Sequence, residues 1–185
     1  MSIRVLVNGA YGRMGSLSCE TIETHNELIL AGRCGSKDDL TALIDDTQPD
    51  VVLDFSTAHS VWENAQTITA KGIRPIIGAS GLNPKQIEQL SSSSKEKQLG
   101  GLIVPNFSIA SLLMMRCSAE IAKHLNHVEI IEMHHDKKID SPSGTAIATA
   151  QKISNASKMR TLPTSKEVVP HARGAQVDGI AVHAI

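Results

Sequence analysis

Apolar and polar positions alternate in blocks along the first part of the chain. Short apolar segments, at residues 3–7, 28–32, 51–56, 73–77 and 102–104, are separated by amphipathic ones such as 60–71. Short apolar runs rich in β-branched residues are typical of buried strands, whereas the amphipathic segments have a helical period. Strands that alternate with helices predict a parallel sheet with right-handed crossovers, and therefore an α/β domain.

The pattern changes in the second part of the chain. Its predicted elements are a helix, a strand, a second helix and a terminal strand, at residues 109–125, 128–131, 145–154 and 180–185. The intervening residues 155–176 are polar and show no clear period. The second part therefore lacks the regular alternation of strands and helices that marks the first part.

A glycine-rich turn follows the first predicted strand. Gly9 permits the tight turn, Gly12 allows the backbone to approach a pyrophosphate, and Gly15 allows close packing of helix on strand. Arg13 is placed to reach a phosphate. A strand, a glycine turn and a helix in this order predict a Rossmann-type dinucleotide-binding domain.

The residues after the second predicted strand indicate which dinucleotide is bound. A site that prefers NAD usually has an acidic residue there to hold the ribose hydroxyls. This chain has Arg33 and Lys37 at that point, and no acidic residue before Asp38. A cation favours the 2′-phosphate of NADP, although Arg33 as a plain surface residue remains an alternative.

A strongly charged segment at residues 132–146 joins the second-domain strand to the following helix. Histidine transfers protons near neutral pH, and lysine donates a proton or binds an anion. Ser143, Gly144 and Thr145 then offer hydroxyl and backbone N–H groups at a helix start, which suit a carboxylate or phosphate. The segment therefore predicts proton donors beside an anion-binding site.

Other uses of this segment are less favoured. A metal site would use His134, His135, Asp136 and Asp140, but adjacent residues on a strand point to opposite faces, and the spacing matches no zinc pattern. No metal is therefore expected. The sequence around Ser143 does not resemble a nucleophile elbow. A purely structural interpretation makes Ser143 a helix cap, which is compatible with anion binding because both use the same N–H groups.

Composition narrows the class of protein. A net charge of −1 and 2% aromatic residues give no basis for binding nucleic acid or an acidic membrane surface. Cys19, Cys34 and Cys117 show no CxxC spacing and are interpreted as reduced thiols, and Met114, Met115 and Cys117 are assigned to the core. No apolar run approaches membrane-spanning length, and no signal peptide is evident. We expect a cytoplasmic protein.

Three segments together carry a family resemblance: GAYGRMG at residues 9–15, VPNFS at 104–108 and EMHHDKKIDSPSGTA at 132–146. The chain resembles the 4-hydroxy-tetrahydrodipicolinate reductase family, also called dihydrodipicolinate reductase, over essentially its whole length. The resemblance implies an enzyme of lysine and diaminopimelate biosynthesis. It would reduce a small cyclic dicarboxylate, 4-hydroxy-tetrahydrodipicolinate or dihydrodipicolinate, to tetrahydrodipicolinate with NADPH or NADH. A homotetramer is also implied.

The resemblance also assigns residues. The first domain, residues 1–107, would bind the coenzyme. The second, residues 108–185, would be an α+β domain with a mixed or antiparallel sheet and would bind the substrate. His134 would be the acid–base group and Lys138 the proton donor. The implied substrate-binding residues are His135, Lys138, Ser143, Gly144 and Thr145. The implied coenzyme-binding residues are Gly9, Tyr11, Gly12, Arg13, Met14, Gly15, Arg33, Phe55, Gly78, Ser80, Asn106 and Phe107.

The chain departs from the family pattern in places. Asp136 and Lys137 stand where the family commonly has Arg and His, and a negative Asp136 is unfavourable beside a dianionic substrate unless it points away. Ala110 replaces a glycine, and Ala79-Ser80 replace two threonines. Relatives continue beyond the position of Ile185, so we expect residues 1–185 to be a fragment, or the ordered part, of a longer protein.

Two alternatives remain at this point. A protein that senses dinucleotides without turning anything over would need only the first domain's glycine turn. A different Rossmann dehydrogenase of a small dicarboxylate is the second alternative. The presence of both His134 and Lys138 favours catalysis, because a sensor has no need for an acid–base pair.

Overall fold

The computed structural model describes residues 2–104, 106–136, 138, 141–157, 168–169 and 172–185. The chain forms two compact units, Met1–Pro105 and Asn106–Ile185. The predictions made for Lys137 and Asp140 lie outside the described residues. No helix among the described residues is long and apolar enough to cross a membrane.

The N-terminal unit is a parallel sheet with intervening helices. Its strands are β1 (Ile3–Asn8), β2 (Leu28–Cys34), β3 (Val51–Asp54), β4 (Arg74–Ile77) and β5 (Leu102–Ile103). Its helices are α1 (Arg13–Thr24), α2 (Leu40–Thr47), α3 (Val61–Ala70) and α4 (Pro84–Glu96). The strands lie in the order β2-β1-β3-β4-β5, and each neighbouring pair is parallel. The predicted Rossmann-type sheet is confirmed, and the carboxyl ends of its strands share one edge.

The interior strand β1 is apolar and buried from Val5 to Val7, because the sheet is covered on both faces there. Val5 and Val7 pack with α1, and Leu6 between them packs on the opposite face. The side chains buried with Val5 and Val7 are Ala10, Cys19 and Ile22, and those buried with Leu6 are Ile44, Val52 and Ile68. A strand buried on both faces reads as a continuous apolar run, which is the pattern of residues 3–7.

The C-terminal unit is an α+β structure with a small mixed sheet. Its elements are α5 (Ile109–Ala122), β6 (Glu129–Glu132), α6 (Gly144–Ala156), β7 (Ala175–Val177) and β8 (Ile180–Ala184). The strand order is β6-β8-β7, with β6 parallel to β8 and β7 antiparallel to it. The predicted mixed sheet is confirmed, although β7 was not predicted. A two-residue turn joins β7 to β8, with Asp178 and Gly179 at φ of 47° and 84°, as expected for an Asp-Gly hairpin.

The core of the C-terminal unit is built from one side of α6 and the sheet. It contains Ala122, Ala146, Ala150, Ile153, Ile180 and Val182. Met115 is buried, but Met114 is 48% exposed and Cys117 is also exposed. The prediction that Met114 and Cys117 belong to the core is therefore wrong. Helix α5 is apolar nearly all round, so the sequence did not show which of its sides faces the core.

Candidate active site

The turn between β1 and α1 has a shape that only glycine allows at two positions. Gly9 has φ of 75°, and a Cβ there would lie 2.5 Å from the carbonyl oxygen of Phe55. A Cβ on Gly15 would lie 2.0 Å from the carbonyl oxygen of Gly9. Both glycines are required, because a side chain would collide with backbone atoms that cannot turn aside. Gly15 thus packs closely as predicted, but against the turn at Gly9 and Ala10 rather than against the strand.

A cavity of about 650 Å³ lies where β1, β2 and β3 end. Its lining includes Asn8, Gly9, Tyr11, Gly12, Gly35, Asp38, Phe55 and Asn64. Gly12 precedes α1 and provides no side-chain cap, so the N–H groups of the first turn are left for another acceptor. A helix start without a cap beside a cavity at the carboxyl edge of a parallel sheet fits a dinucleotide pyrophosphate.

Asp54 connects the three loops around this edge and was missed as a site residue by sequence reasoning. Its carboxylate oxygen Oδ1 accepts hydrogen bonds from Asn8 Nδ2 at 3.2 Å and from Ser56 N at 2.8 Å. Its carbonyl oxygen accepts from Gly78 N at 2.9 Å and Ala79 N at 3.1 Å. Burial raises the pKa of the Asp54 carboxyl, and its hydrogen bonds oppose that shift. An acidic residue at the end of a buried apolar strand was the available signal.

Arg33 is not among the residues that line the cavity. Its Nη2 atom donates to Glu23 Oε1 at 2.8 Å, and both side chains are largely exposed. Asp38 does line the cavity, and its carboxylate accepts from Gly35 N at 2.8 Å. Burial raises the pKa of the neighbouring Cys34 thiol to about 11, which keeps that sulfur protonated and unreactive at neutral pH.

The remaining predicted coenzyme residues occupy different positions. Arg13 is the exposed first residue of α1, and Met14 beside it is half-buried. Ser80 is exposed in the loop after β4. Asn106 and Phe107 belong to the C-terminal unit, where Asn106 Nδ2 donates to Thr145 Oγ1 at 3.3 Å. The structure therefore gathers the glycine turn and Phe55 at one cavity, but places Asn106 with the predicted substrate-binding residues.

The start of α6 is held by Glu132, the last residue of β6. Ser143 is the N-cap of α6, and its Oγ accepts from Ala146 N at 3.1 Å. Ser143 N donates to Glu132 Oε1 at 2.7 Å, and Ser143 Oγ donates to Glu132 Oε2. The Glu132 side chain is only 10% exposed. Sequence reasoning named this glutamate only as the first residue of the charged segment, because nothing local shows that it reaches a helix eleven residues on.

Two cavities adjoin this arrangement. The larger, of about 630 Å³, is lined by α5, β6 and α6 and includes Asn106, Ser143 and Thr145. The smaller, of about 220 Å³, includes His135, Asp136 and Lys138. Glu132 and His134 line both cavities. The structure thus brings His134, His135 and Lys138 together, whereas the predicted binder Gly144 lines neither cavity.

The loop after β6 corrects one premise of the sequence analysis. Strand β6 ends at Glu132, so His134 and His135 do not lie on a strand with their side chains on opposite faces. Both line the smaller cavity, and Lys138 N donates to the His135 carbonyl oxygen at 3.1 Å in a turn. In the part of the chain that the structure describes, no group of three or more His, Cys, Asp or Glu side chains is placed to hold a metal ion.

Comparison with known proteins identifies the family. The family models for the N- and C-terminal parts of dihydrodipicolinate reductase match residues 3–107 and 110–185. The 4-hydroxy-tetrahydrodipicolinate reductases of Legionella pneumophila (strain Lens) and Coxiella burnetii are each 44% identical to the chain, and each alignment covers 100% of the chain and 76% of the relative. A dipicolinate-bound dihydrodipicolinate reductase structure from Paenisporosarcina sp. TG-14 is 34% identical with a TM-score of 0.76, covering 100% of this chain and 78% of that one. The chain therefore belongs to the dihydrodipicolinate reductase family.

Proposed function

We propose that this chain carries out its family's reaction with His134 and Lys138 as the groups that move the proton. The chain is an NAD(P)H-dependent oxidoreductase that reduces 4-hydroxy-tetrahydrodipicolinate in lysine and diaminopimelate biosynthesis. The observation that supports the residue assignment is the cavity beside the end of β6, which His134 and Lys138 both line. A protein that only sensed dinucleotides would have no use for such a pair, and family membership disfavours an unrelated dehydrogenase.

The N-terminal unit is proposed to hold the coenzyme. The uncapped start of α1 would bind the pyrophosphate through backbone N–H groups, and Arg13 in the first turn would add a positive charge. Phe55 and Tyr11 would contact the dinucleotide from the walls of the cavity. Bound NAD(P)H would supply the hydride for the reduction. We expect Arg33 to reach the 2′-phosphate, so that NADPH binds at least as well as NADH.

The C-terminal unit is proposed to bind the substrate through its carboxylates. The N–H groups of Gly144 and Thr145 are in the first turn of α6, where the helix dipole favours negative charge. The Thr145 hydroxyl lies in the larger cavity, next to the Asn106 amide. Because the Paenisporosarcina relative binds dipicolinate, we expect this planar dicarboxylate to bind the C-terminal unit of this chain as well.

The proton is proposed to come from Lys138. Loss of water from 4-hydroxy-tetrahydrodipicolinate would give the dihydrodipicolinate ring. Hydride addition to that ring would leave a carbanion-like centre, and a proton from Nζ of Lys138 would complete the reduction to tetrahydrodipicolinate. His134 Nδ1 lies 3.7 Å from Glu132 Oε2, so Nε2 is on the side of the imidazole away from that carboxylate. We assign Nε2 of His134 the acid–base exchange with substrate or water.

A turnover assay tests the proposed function. The protein is mixed with NADPH or NADH and with substrate generated enzymatically, and the loss of reduced-nicotinamide absorbance is followed. We expect turnover proportional to protein concentration, with a kcat in the ordinary enzymatic range of roughly 1–10³ s⁻¹. Calorimetry should show binding of dipicolinate. A protein that binds NADPH and dipicolinate but never oxidises NADPH would support the sensing alternative instead.

We also propose a cytoplasmic homotetramer, which corresponds to the family resemblance. Apolar side chains on α5, in β6 and directly after β6 are exposed to a degree that is unusual for a monomer surface. These include Ile109 at 74%, Leu113 at 53%, Ile121 at 56%, Ile131 at 68% and Met133 at 76% exposure. Sedimentation velocity at several protein concentrations tests the assembly, and a concentration-independent monomer would contradict it.

A further inference from the structure

Among the residues that the structure describes, Glu132 is the carboxylate that contacts both the start of α6 and the acid–base histidine. We propose that it is a positioning residue for the reduction, which fixes the substrate-binding helix start and the imidazole of His134 together. This inference rests on the proposed function, since that function assigns substrate binding to α6 and proton exchange to His134. Nothing in the sequence pattern assigned Glu132 a role.

The burial of Glu132 requires its partners. Its side chain is 10% exposed, and a buried carboxylate is costly unless hydrogen bonds replace the lost water. Ser143 provides two of them, with its N–H on Oε1 and its hydroxyl on Oε2. A carboxylate accepts strong hydrogen bonds from such donors. The two bonds from Ser143 therefore fix the distance between the end of β6 and the N-cap of α6.

These contacts change which groups meet the substrate. Both donors of Ser143 go to Glu132, and its hydroxyl oxygen accepts from Ala146 N. Ser143 therefore presents no donor to a substrate carboxylate while Glu132 is ionised. The donors at the helix start are then the N–H groups of Gly144 and Thr145, together with the Thr145 hydroxyl. Ser143 acts through Glu132 as part of the support for these groups.

The same carboxylate oxygen is close to the proton-transfer group. Glu132 Oε2 accepts from the Ser143 hydroxyl and also lies 3.7 Å from His134 Nδ1. When both nitrogens of the imidazole are protonated, this oxygen attracts the Nδ1–H group. That attraction keeps Nε2 turned away from the Glu132 carboxylate. Glu132 and His134 line both of the cavities described above. A movement of these two side chains therefore changes the larger cavity, with Thr145, and the smaller cavity, with Lys138, at the same time.

Glu129 provides a matched control on the same strand. It is also a carboxylate paired with histidine, with its two oxygens 2.9 Å from His127 Nε2 and 3.0 Å from His183 Nε2. Its side chain is 39% exposed, however, and none of its hydrogen bonds goes to a described residue of α6. Glu129 lines the larger cavity but not the smaller one. Glu129→Gln therefore removes a charge from β6 and from the larger cavity while the contacts of Glu132 with Ser143 and His134 stay in place.

The test compares Glu132→Gln, Glu132→Ala and Glu129→Gln in the full chain. Glutamine can still accept the Ser143 N–H bond through its amide oxygen, but it removes the charge beside His134. We therefore expect Glu132→Gln to lower kcat by about tenfold or more, with the substrate KM changed by less than about threefold. Glu132→Ala removes both functions and should also raise the KM, and weaken dipicolinate binding, by about tenfold or more. NADPH affinity should stay within about twofold of wild type in all three variants.

The outcomes separate this inference from the proposed function. If wild type shows neither turnover nor dipicolinate binding, the proposed function fails and this inference fails with it. If wild type is active and both Glu132 variants match Glu129→Gln in kcat and KM, the positioning role is overturned. Equal loss of kcat and NADPH affinity in Glu132→Gln would also overturn it, because that result indicates general unfolding. The positioning role is supported if Glu132→Gln keeps the wild-type KM that Glu132→Ala loses, while the kcat of Glu132→Gln stays low.

Discussion

Lys138 is the residue on which the proposed proton transfer depends. Replacing it with alanine removes the donor, so Lys138→Ala should lower kcat by roughly 10²–10⁴-fold, the usual contribution of a general acid. NADPH affinity should hardly change, because the glycine turn lies in the N-terminal unit. Steady-state kinetics and fluorescence titration measure the two quantities. Lys123→Ala is the control, since Lys123 is exposed and pairs only locally with Glu120 at 2.6 Å. Activity within a few-fold of wild type would remove Lys138 from the mechanism.

Arg33 is expected to distinguish the two coenzymes although it is paired with Glu23. Arg33→Ala should weaken NADPH binding by about tenfold and leave NADH nearly unaffected, because only NADPH carries the 2′-phosphate. Glu23→Gln frees the guanidinium and should tighten NADPH binding by about two- to threefold, a small change because exposed ion pairs are weak. Titrations with both coenzymes measure these effects. Equal losses for NADPH and NADH in Arg33→Ala would show that Arg33 does not contact the phosphate.

Asp54 predicts a pH dependence of stability. Burial raises the pKa of its carboxyl above the ordinary value of 3.8, so the folded protein holds this proton more tightly than the unfolded chain does. Ionisation therefore destabilises the fold: the cost is absent below pH 3.8, grows as pH rises through the folded-state pKa, and is constant above it. Asp54→Asn cannot ionise, so its stability relative to wild type should improve from pH 4 to pH 7, by at most about 1.4 kcal/mol per pH unit.

Urea unfolding at both pH values measures this difference for Asp54→Asn. The exposed Asp46→Asn variant is the control, because a solvated carboxyl contributes little to such a difference. Comparing one variant between two pH values cancels any constant effect of the new amide group. A pH-independent difference between Asp54→Asn and wild type would show that the carboxyl does not titrate differently on folding.

At the scale of single residues, the sequence predicted chemistry better than contacts. The glycine turn was predictable because a tight turn and close packing demand glycine at Gly9 and Gly15. The roles of Glu132 and Asp54 were not, because each acts through partners distant in sequence, such as Ser143 and Asn8. The opposite orientation expected for His134 and His135 failed because both residues lie beyond the end of β6 at Glu132, in a loop rather than on the strand.

Among the secondary-structure elements, the junction of β1 and α1 requires that residue 15 has no side chain. Gly15→Ala would place a Cβ 2.0 Å from the Gly9 carbonyl oxygen, so helix and turn must separate. We expect a loss of roughly 1–3 kcal/mol or more in stability and at least about tenfold weaker NADPH binding. Gly100→Ala is the control, since its Cβ would meet nothing within 4 Å. Wild-type NADPH affinity in Gly15→Ala would show that the close approach is not needed for the site.

Elements with their own strong signals were the ones that the sequence predicted. Helix α3 is an example, because the amphipathic segment 60–71 predicted it and its buried residues Val61, Ala65 and Ile68 recur at a helical period. Helix α2 and strand β7 were missed because they are short and lie in polar surroundings. Helix α5 was predicted, but the side that it exposes to solvent was not. Its surface is apolar nearly all round, so the sequence does not show which side faces the core.

At the scale of the whole molecule, the division into two compact units predicts that each ligand slows hydrogen exchange only in the unit that binds it. Each unit has its own sheet and its own buried cluster, so local opening in one need not involve the other. A ligand present at 100 times its Kd stabilises the form that binds it by about 2.7 kcal/mol, and this slows hydrogen exchange where opening destroys the site. NADPH should therefore slow exchange in β1 and the glycine turn, and dipicolinate should slow it in α6 and β6.

Hydrogen exchange of the full chain, read by mass spectrometry, measures this with each ligand alone. The control is Glu132→Ala, in which dipicolinate should lose its effect on α6 while NADPH keeps its effect on β1. That pattern follows because the contacts of Glu132 lie in the C-terminal unit, where it supports the start of α6 through Ser143 and its helix cap. Protection of the glycine turn by dipicolinate alone, with α6 unchanged, would contradict the assignment of the substrate to the C-terminal unit. It would move the dicarboxylate site to the cavity at the ends of β1, β2 and β3.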